Sequence, residues 1–233
     1  MGLAGLAGTH ETSRMKTRRI AIVGAESTGK SWLAQALTDT LIRRGETVQW
    51  IPEVLRDWCE REGRTPQAHE QMAVAQAQAG AVLSVQQGLV ISDTTPLMTA
   101  VYSHLFFQDE SLYPMALEHQ RLYDLTLVAG LDIAWEAHWL RDSPQGRIPV
   151  DALVRDALTR HGIDFRVIYG QGQARLNNAL LALGLPSEDG TQEIREKSQF
   201  AINQGRTAWQ CNECSDPDCE HKLFTGLLAQ RSS

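Results

Sequence analysis

The chain is poor in cysteine, with four in 233 residues and three of those after residue 210. Such a count excludes a small secreted fold stapled by disulfides and suits a reducing cytosol. Positive charge is not in excess either. Lys and Arg number 22 against 28 Asp and Glu, a formal net charge of −6, whereas a general nucleic-acid binder is usually basic. No apolar run is long enough to span a bilayer, and no internal repeat or low-complexity stretch occurs. The opening segment, Met1 to His10, is small and weakly apolar and has no basic leader, so it does not read as a signal peptide. The expectation is a cytoplasmic protein with neither a membrane nor a nucleic acid as partner, and with assembly into a homo-oligomer left open.

What is present is a motif. Residues Gly24-Ala25-Glu26-Ser27-Thr28-Gly29-Lys30-Ser31 fit G-x-x-x-x-G-K-[ST], a phosphate-binding loop. A short β-branched run, Arg19 to Val23, precedes it and reads as a buried strand. After it, Leu33, Ala36, Leu37 and Leu41 fall on one helical face. Gly24 and Gly29 would let the backbone approach phosphates, and the helix N-terminus adds partial positive charge. Lys30 would bridge the β- and γ-phosphates of ATP, and the Ser31 hydroxyl would ligate Mg²⁺.

Apolar runs at Ile20–Val23, Val48–Ile51, Leu89–Ser92, Leu125–Ala129 and Phe165–Tyr169 alternate with helical segments. Those segments include residues 67–87, 150–161 and 173–183, and Gly45 reads as the stop of the first helix. The pattern predicts an α/β P-loop NTPase fold, a five-stranded parallel sheet with helices on both faces, plus a small Cys-rich C-terminal tail. The organisation expected is a disordered N-terminus over 1–15, with Met15 a candidate start, a kinase domain over 16–185, and a linker and tail over 186–233.

In such folds ligands bind at the carboxyl ends of the strands. Glu53, after the second run, would accept the proton of an attacking hydroxyl or hold the metal. Arg56 would bind substrate or the transferred phosphate. A surface turn with an ion pair is the plainer account of both. Asp93, ending the third run, would sit at Mg²⁺ or at the substrate hydroxyl, and Asp93 or Thr94 would cap a helix before Pro96. After the fourth run, Arg141 and Arg147 lie six apart in a polar loop that suits a lid over the transferring phosphoryl group. Trp135 would stack on a planar ring, or pack with Trp139 into a core. The turn Gly170-Gln171-Gly172-Gln173-Ala174-Arg175 would place Gln173 and Arg175 by adenine, and an ordinary strand-to-helix turn accounts for it as well.

Taken together, residues 18–183 resemble the nicotinamide riboside kinase domain of NadR-type bifunctional regulators of NAD biosynthesis. The resemblance rests on the Gly24–Ser31 loop with Glu26 before Ser27, on Glu53 with Arg56, on Asp93-Thr94, and on Asp132-x-x-Trp135 followed by Asp142 and an arginine. It implies transfer of the ATP γ-phosphate to the 5′-hydroxyl of ribosylnicotinamide. Two differences bear on the substrate. Ala134 stands where that family usually has Pro, and the loop from Trp135 to Arg147 is longer. The adenylyltransferase and DNA-binding parts of the bifunctional proteins have no counterpart in the resemblance.

The tail carries Cys211-x-x-Cys214, then Cys219 and His221. Three thiolates and an imidazole at this spacing can close a tetrahedral structural Zn²⁺ site; a redox pair or free thiols are the alternatives. Glu213, Asp216, Asp218 and Glu220 around it would repel nucleic-acid phosphates. A small-molecule kinase is therefore set against a regulatory ATPase that switches a partner, and against an interaction protein whose loop no longer turns over. The Asn-Lys-x-Asp pattern for guanine is absent, which disfavours GTP.

Overall fold

The computed structural model describes residues 17–134 and 146–188. Five parallel strands form one sheet: β1 (Arg18–Val23), β2 (Val48–Ile51), β3 (Leu89–Asp93), β4 (Leu125–Ala129) and β5 (Phe165–Ile168), in the order β2-β3-β1-β4-β5. β1 lies centrally, with Ile22 level with Asp93 on one side and with Leu127 on the other. Every strand expected from the apolar runs is present to within two residues.

The strands alternate in facing, as their geometry requires. Ile20 and Ile22 pack with Leu33, Leu37 and Leu41 of α1 (Lys30–Arg43) and with Leu176 and Leu180 of α7 (Gly172–Ala182). Val23 and Val128 face the other way. They pack on Leu97, Met98 and Val101 of α4 (Pro96–Phe107) and on Val150, Val154 and Leu158 of α6 (Arg147–Arg160). Ala21 packs on Val82 of α3 (Gln71–Leu83) on that second side. Helices α2 (Val54–Glu62) and α5 (Tyr113–Gln120) complete the layers. Gly45, at a left-handed φ of 88°, ends α1 as expected, its N–H donating to the Ile42 carbonyl.

Two local expectations are corrected. The segment 67–87 is a 3₁₀ turn, Ala68–Glu70, followed by α3, which stops at Leu83. Glu70 accepts from the Gln67 N–H at 2.8 Å and pairs in two bonds with Arg64, so this corner is fixed by side chains before the helix begins. The cap of α4 is neither Asp93 nor Thr94 but Thr95, whose hydroxyl accepts from the Leu97 N–H at 3.3 Å. That frees Asp93 for other partners. No helix among the described residues is long and apolar enough to cross a membrane.

Candidate active site

The phosphate loop connects β1 to α1. Its first glycine serves the sheet as much as any ligand. A Cβ on Gly24 would stand 2.9 Å from the Ala129 carbonyl oxygen of β4, and the Gly24 N–H donates to Met98 Sδ at 3.4 Å. Thr28 closes the loop by donating to the Ala25 carbonyl at 2.7 Å. Gly29 starts α1 with no side-chain cap, so the first-turn N–H groups receive no cap side chain. Such a helix start favours an anion.

Lys30 is buried, and its Nζ donates to the Ala25 carbonyl at 2.8 Å. Burial holds its ammonium below the ordinary lysine range, while Glu53, Asp93 and Glu26 pull the other way. Lys30 thus lies within electrostatic reach of three carboxylates and of the Arg56 guanidinium. Glu26 accepts from the Tyr102 hydroxyl at 3.4 Å.

The ends of β2 and β3 converge on this loop. Arg56 donates to the Ser31 hydroxyl at 3.1 Å and to Glu53 Oε2 at 2.8 Å. Of the plainer account of Glu53 and Arg56, a surface turn with an ion pair, the ion pair is present, but Glu53 stands at the N-cap and Arg56 in the first turn of α2, and the pair also reaches the phosphate loop. Asp93 is 1% exposed, and its Oδ1 is buried without a hydrogen-bond partner. Burial pushes its carboxyl above the usual range, a hydrogen bond with Ser31 opposes the shift, and Glu53 adds to it. Thr94, next in line, holds a left-handed φ of 71°. A β-branched residue there is strained, which is a mark of functional sites.

This donor set fits Mg²⁺. The ion takes hard oxygen ligands, and it is usually held by one or two carboxylates plus phosphates and water. An unpartnered carboxylate oxygen beside a serine hydroxyl at a phosphate loop supplies that. Among the described residues no group of three or more His, Cys, Asp or Glu could hold a metal by itself.

The other side of the crevice is built differently. Arg175 is fully buried. Its guanidinium donates to the Thr28 carbonyl at 2.8 Å, Gly130 at 3.1 Å, Gly170 at 2.6 Å and Asp132 Oδ1 at 3.0 Å. Asp132 Oδ2 accepts from the Gly170 N–H at 2.6 Å. Arg175 therefore grips the phosphate loop from behind, where its sequence position had suggested adenine. Gln173 is exposed and bonds Asn177 at 3.1 Å. Arg147 is the first residue of α6 rather than part of a loop; it is buried and donates to the Leu131 carbonyl at 3.3 Å. Its neighbour Gly146 lies against Glu26, so α6 begins at the phosphate loop. Trp135 and Arg141, and Cys211, Cys214, Cys219 and His221, lie outside the described residues.

A family model described as an AAA domain matches residues 19–175, which is most of the chain and runs from β1 into α7. The chain belongs to the AAA domain family. Its solved neighbours include NadR in complex with NAD and AMP-PNP, at 19% identity and a TM-score of 0.57, with 72% of this chain and 48% of that one covered. NadR in complex with NR matches at 18% and 0.57, over 72% and 50%. Thymidylate kinase from Ehrlichia chaffeensis matches at 13% and 0.51, over 72% and 96%. This AAA-domain chain thus spans about half the length of the NadR proteins it matches. At such identities the likeness establishes a shared fold, the α/β P-loop NTPase fold expected from the motif and the alternating runs. No curated protein matches.

Proposed function

We propose that the chain is an ATP-dependent kinase that phosphorylates a hydroxyl of a small nucleoside-like acceptor, with the 5′-hydroxyl of ribosylnicotinamide as the first candidate. The observation that carries this reading is the buried Asp93 with an unpartnered oxygen, next to a second carboxylate, Glu53, beside Ser31 and Lys30. The bound ligands named for the two NadR neighbours, AMP-PNP and NR, support the choice of donor and acceptor.

In this reading the α1 N-terminus and the loop amides hold the ATP phosphates, and Lys30 leaves the Ala25 carbonyl to span the β- and γ-phosphates. Ser31 and Asp93 would hold Mg²⁺, which when bound neutralises charge on the phosphate oxygens. Glu53 takes the acceptor proton as the acceptor oxygen bonds to the γ-phosphorus. The bond from that phosphorus to the β,γ-bridging oxygen breaks, and its electron pair leaves with ADP. Arg56 turns from Ser31 to the transferring group, joined by Arg147 and by Arg141. Trp135 stacks on the acceptor ring, and Gln173 borders adenine. Arg175 acts through the loop it supports. The cytoplasm is the compartment this chemistry fits.

Purified protein with ATP and Mg²⁺ releases ADP only when a nucleoside acceptor is added, most efficiently with ribosylnicotinamide. Hydrolysis at the same rate without an acceptor would replace the kinase with the switch ATPase. The tail is a separate proposal, in which Cys211, Cys214, Cys219 and His221 close one structural Zn²⁺ site. Elemental analysis of protein made with zinc present then gives one zinc per chain, and a value well below one removes the site.

A further inference from the structure

Gln78 of α3 is 3% exposed, although a glutamine in an Ala- and Gln-rich helix would ordinarily face water. Its side chain is turned toward the two carboxylate-bearing turns. Oε1 accepts from the Val54 N–H at 2.9 Å. Nε2 donates to the Pro52 carbonyl at 3.3 Å and to Ser92 Oγ at 3.4 Å. The Ser92 hydroxyl passes the contact on, donating to the Thr94 carbonyl at 2.6 Å.

The placement of these four residues, three bonded to Gln78 and Thr94 reached through Ser92, is what matters. Pro52 and Val54 are the residues on either side of Glu53. Ser92 and Thr94 are the residues on either side of Asp93. One amide therefore brackets Glu53 directly and Asp93 with the help of Ser92, and joins the turn after β2 to the turn after β3. The direction of each bond also demands an amide. A donor must meet Pro52 and Ser92 while an acceptor meets Val54, and no other uncharged side chain of that length offers both. The Ser92–Thr94 bond further helps hold Thr94 in its left-handed conformation, which sets the direction in which Asp93 leaves the strand.

We infer that Gln78 is a positioning residue that fixes the separation of Glu53 and Asp93, and through Asp93 the metal ligand geometry at Ser31. The inference rests on the kinase reading for its kinetic consequence. Its consequence for the metal does not. A displacement of about 1 Å in such a site can cost about 10²-fold in rate.

The test uses the full chain and two variants, Gln78→Leu and Ser92→Ala. Gln78→Leu removes all three bonds at nearly constant volume. It lowers kcat by roughly 10- to 100-fold while KM for ATP stays within about threefold. It also raises, by about threefold or more, the Mg²⁺ concentration that half-saturates AMP-PNP binding. Ser92→Ala removes the arm to Asp93, together with the contact of Ser92 with the Tyr123 hydroxyl, and moves both readings the same way by less. The double variant is no worse than Gln78→Leu by more than about twofold, because both act through one chain of bonds. A Gln78→Leu protein that is folded, assayed well below its Tm, and unchanged in both kcat and Mg²⁺ requirement overturns the inference. Should that variant not fold, Ser92→Ala unchanged in both readings overturns it equally. If the parent protein turns over without an acceptor, the kinase reading is lost, and the Mg²⁺ titration of AMP-PNP binding still decides on Gln78.

Discussion

The two sides of the crevice satisfy their polar groups to different degrees. At the ends of β2 and β3, Asp93 keeps a buried oxygen without a partner, its carboxyl is held above its usual range, and Lys30 is buried among carboxylates. At the ends of β4 and β5, Arg175 makes four bonds and only its Nε lacks a partner, while both oxygens of Asp132 are taken. Buried polar groups are normally satisfied, and an unsatisfied one costs about 1–3 kcal/mol. Both sides carry that cost, at Asp93 Oδ1 on the first and at Arg175 Nε on the second, but on the second the rest of the guanidinium is bonded. The orphaned atom of Asp93 is an acceptor beside Ser31 of the phosphate loop, where a ligand can complete it, whereas the four bonds of Arg175 keep the shape of that loop.

The largest expected effect breaks the first side. Lys30→Ala lowers kcat by about 10³-fold or more, because charge stabilisation is the main catalytic contribution in phosphoryl transfer. ADP release within about threefold of the parent would sink the role of the loop.

Breaking the second side gives a different signature. Arg175→Met removes a buried charge and leaves three carbonyls short of a donor, and we expect a loss of about 3 kcal/mol in unfolding free energy. ATP binding weakens with it, because Thr28 loses its support. A denaturation curve that matches the parent within about 0.5 kcal/mol contradicts the structural role.

The third experiment sharpens the contrast within one residue. Asp93→Asn lowers kcat by about 10²-fold, as does Glu53→Gln. Stability moves the other way. Folding raises the Asp93 pKa through burial, so the folded protein binds that proton more tightly than the unfolded chain does. That contribution is complete below the ordinary carboxylate pKa and is lost as pH rises through the folded value. Ionised Asp93 is therefore a burden at pH 7.5, and Asp93→Asn melts at or above the parent Tm there without nucleotide. The difference shrinks as pH falls. A melting temperature clearly below the parent at pH 7.5 would show that Asp93 stabilises the ligand-free fold.

Much of this architecture is readable from the chain because its signals are local. The five runs are short, apolar and bounded by turn residues, and Gly24 to Ser31 is contiguous. Helix α4 is less readable: it is apolar nearly all round, with seven buried residues from Pro96 to Ser103, so periodicity gives no face to recognise. The positions of Asp93 and Glu53 beside the phosphate loop follow from the rule that ligands bind at strand ends. Gln78 and Arg175 do not. Gln78 lies mid-helix, where a glutamine reads as solvent-facing, and its meaning comes from turns 14 and 26 residues away. Arg175 follows a glycine-rich stretch of sequence, which suggests a nucleotide contact, yet it lies in the first turn of α7 and its bonds lead to the back of the loop. No sequence pattern announces a polar side chain turned inward. The signal is the set of partners, and that exists only once the chain has folded.

The bond from Arg175 to Thr28 joins residues 147 positions apart. During synthesis, at about 5–20 residues per second, the phosphate loop emerges roughly 7–30 seconds before the residue that props it. The carboxylate side, gathered between residues 48 and 94, can take shape long before. A nascent chain would thus own its acids early and its grip on nucleotide late, and a chain released short of Arg175 should bind ATP poorly while still looking largely folded in its first half.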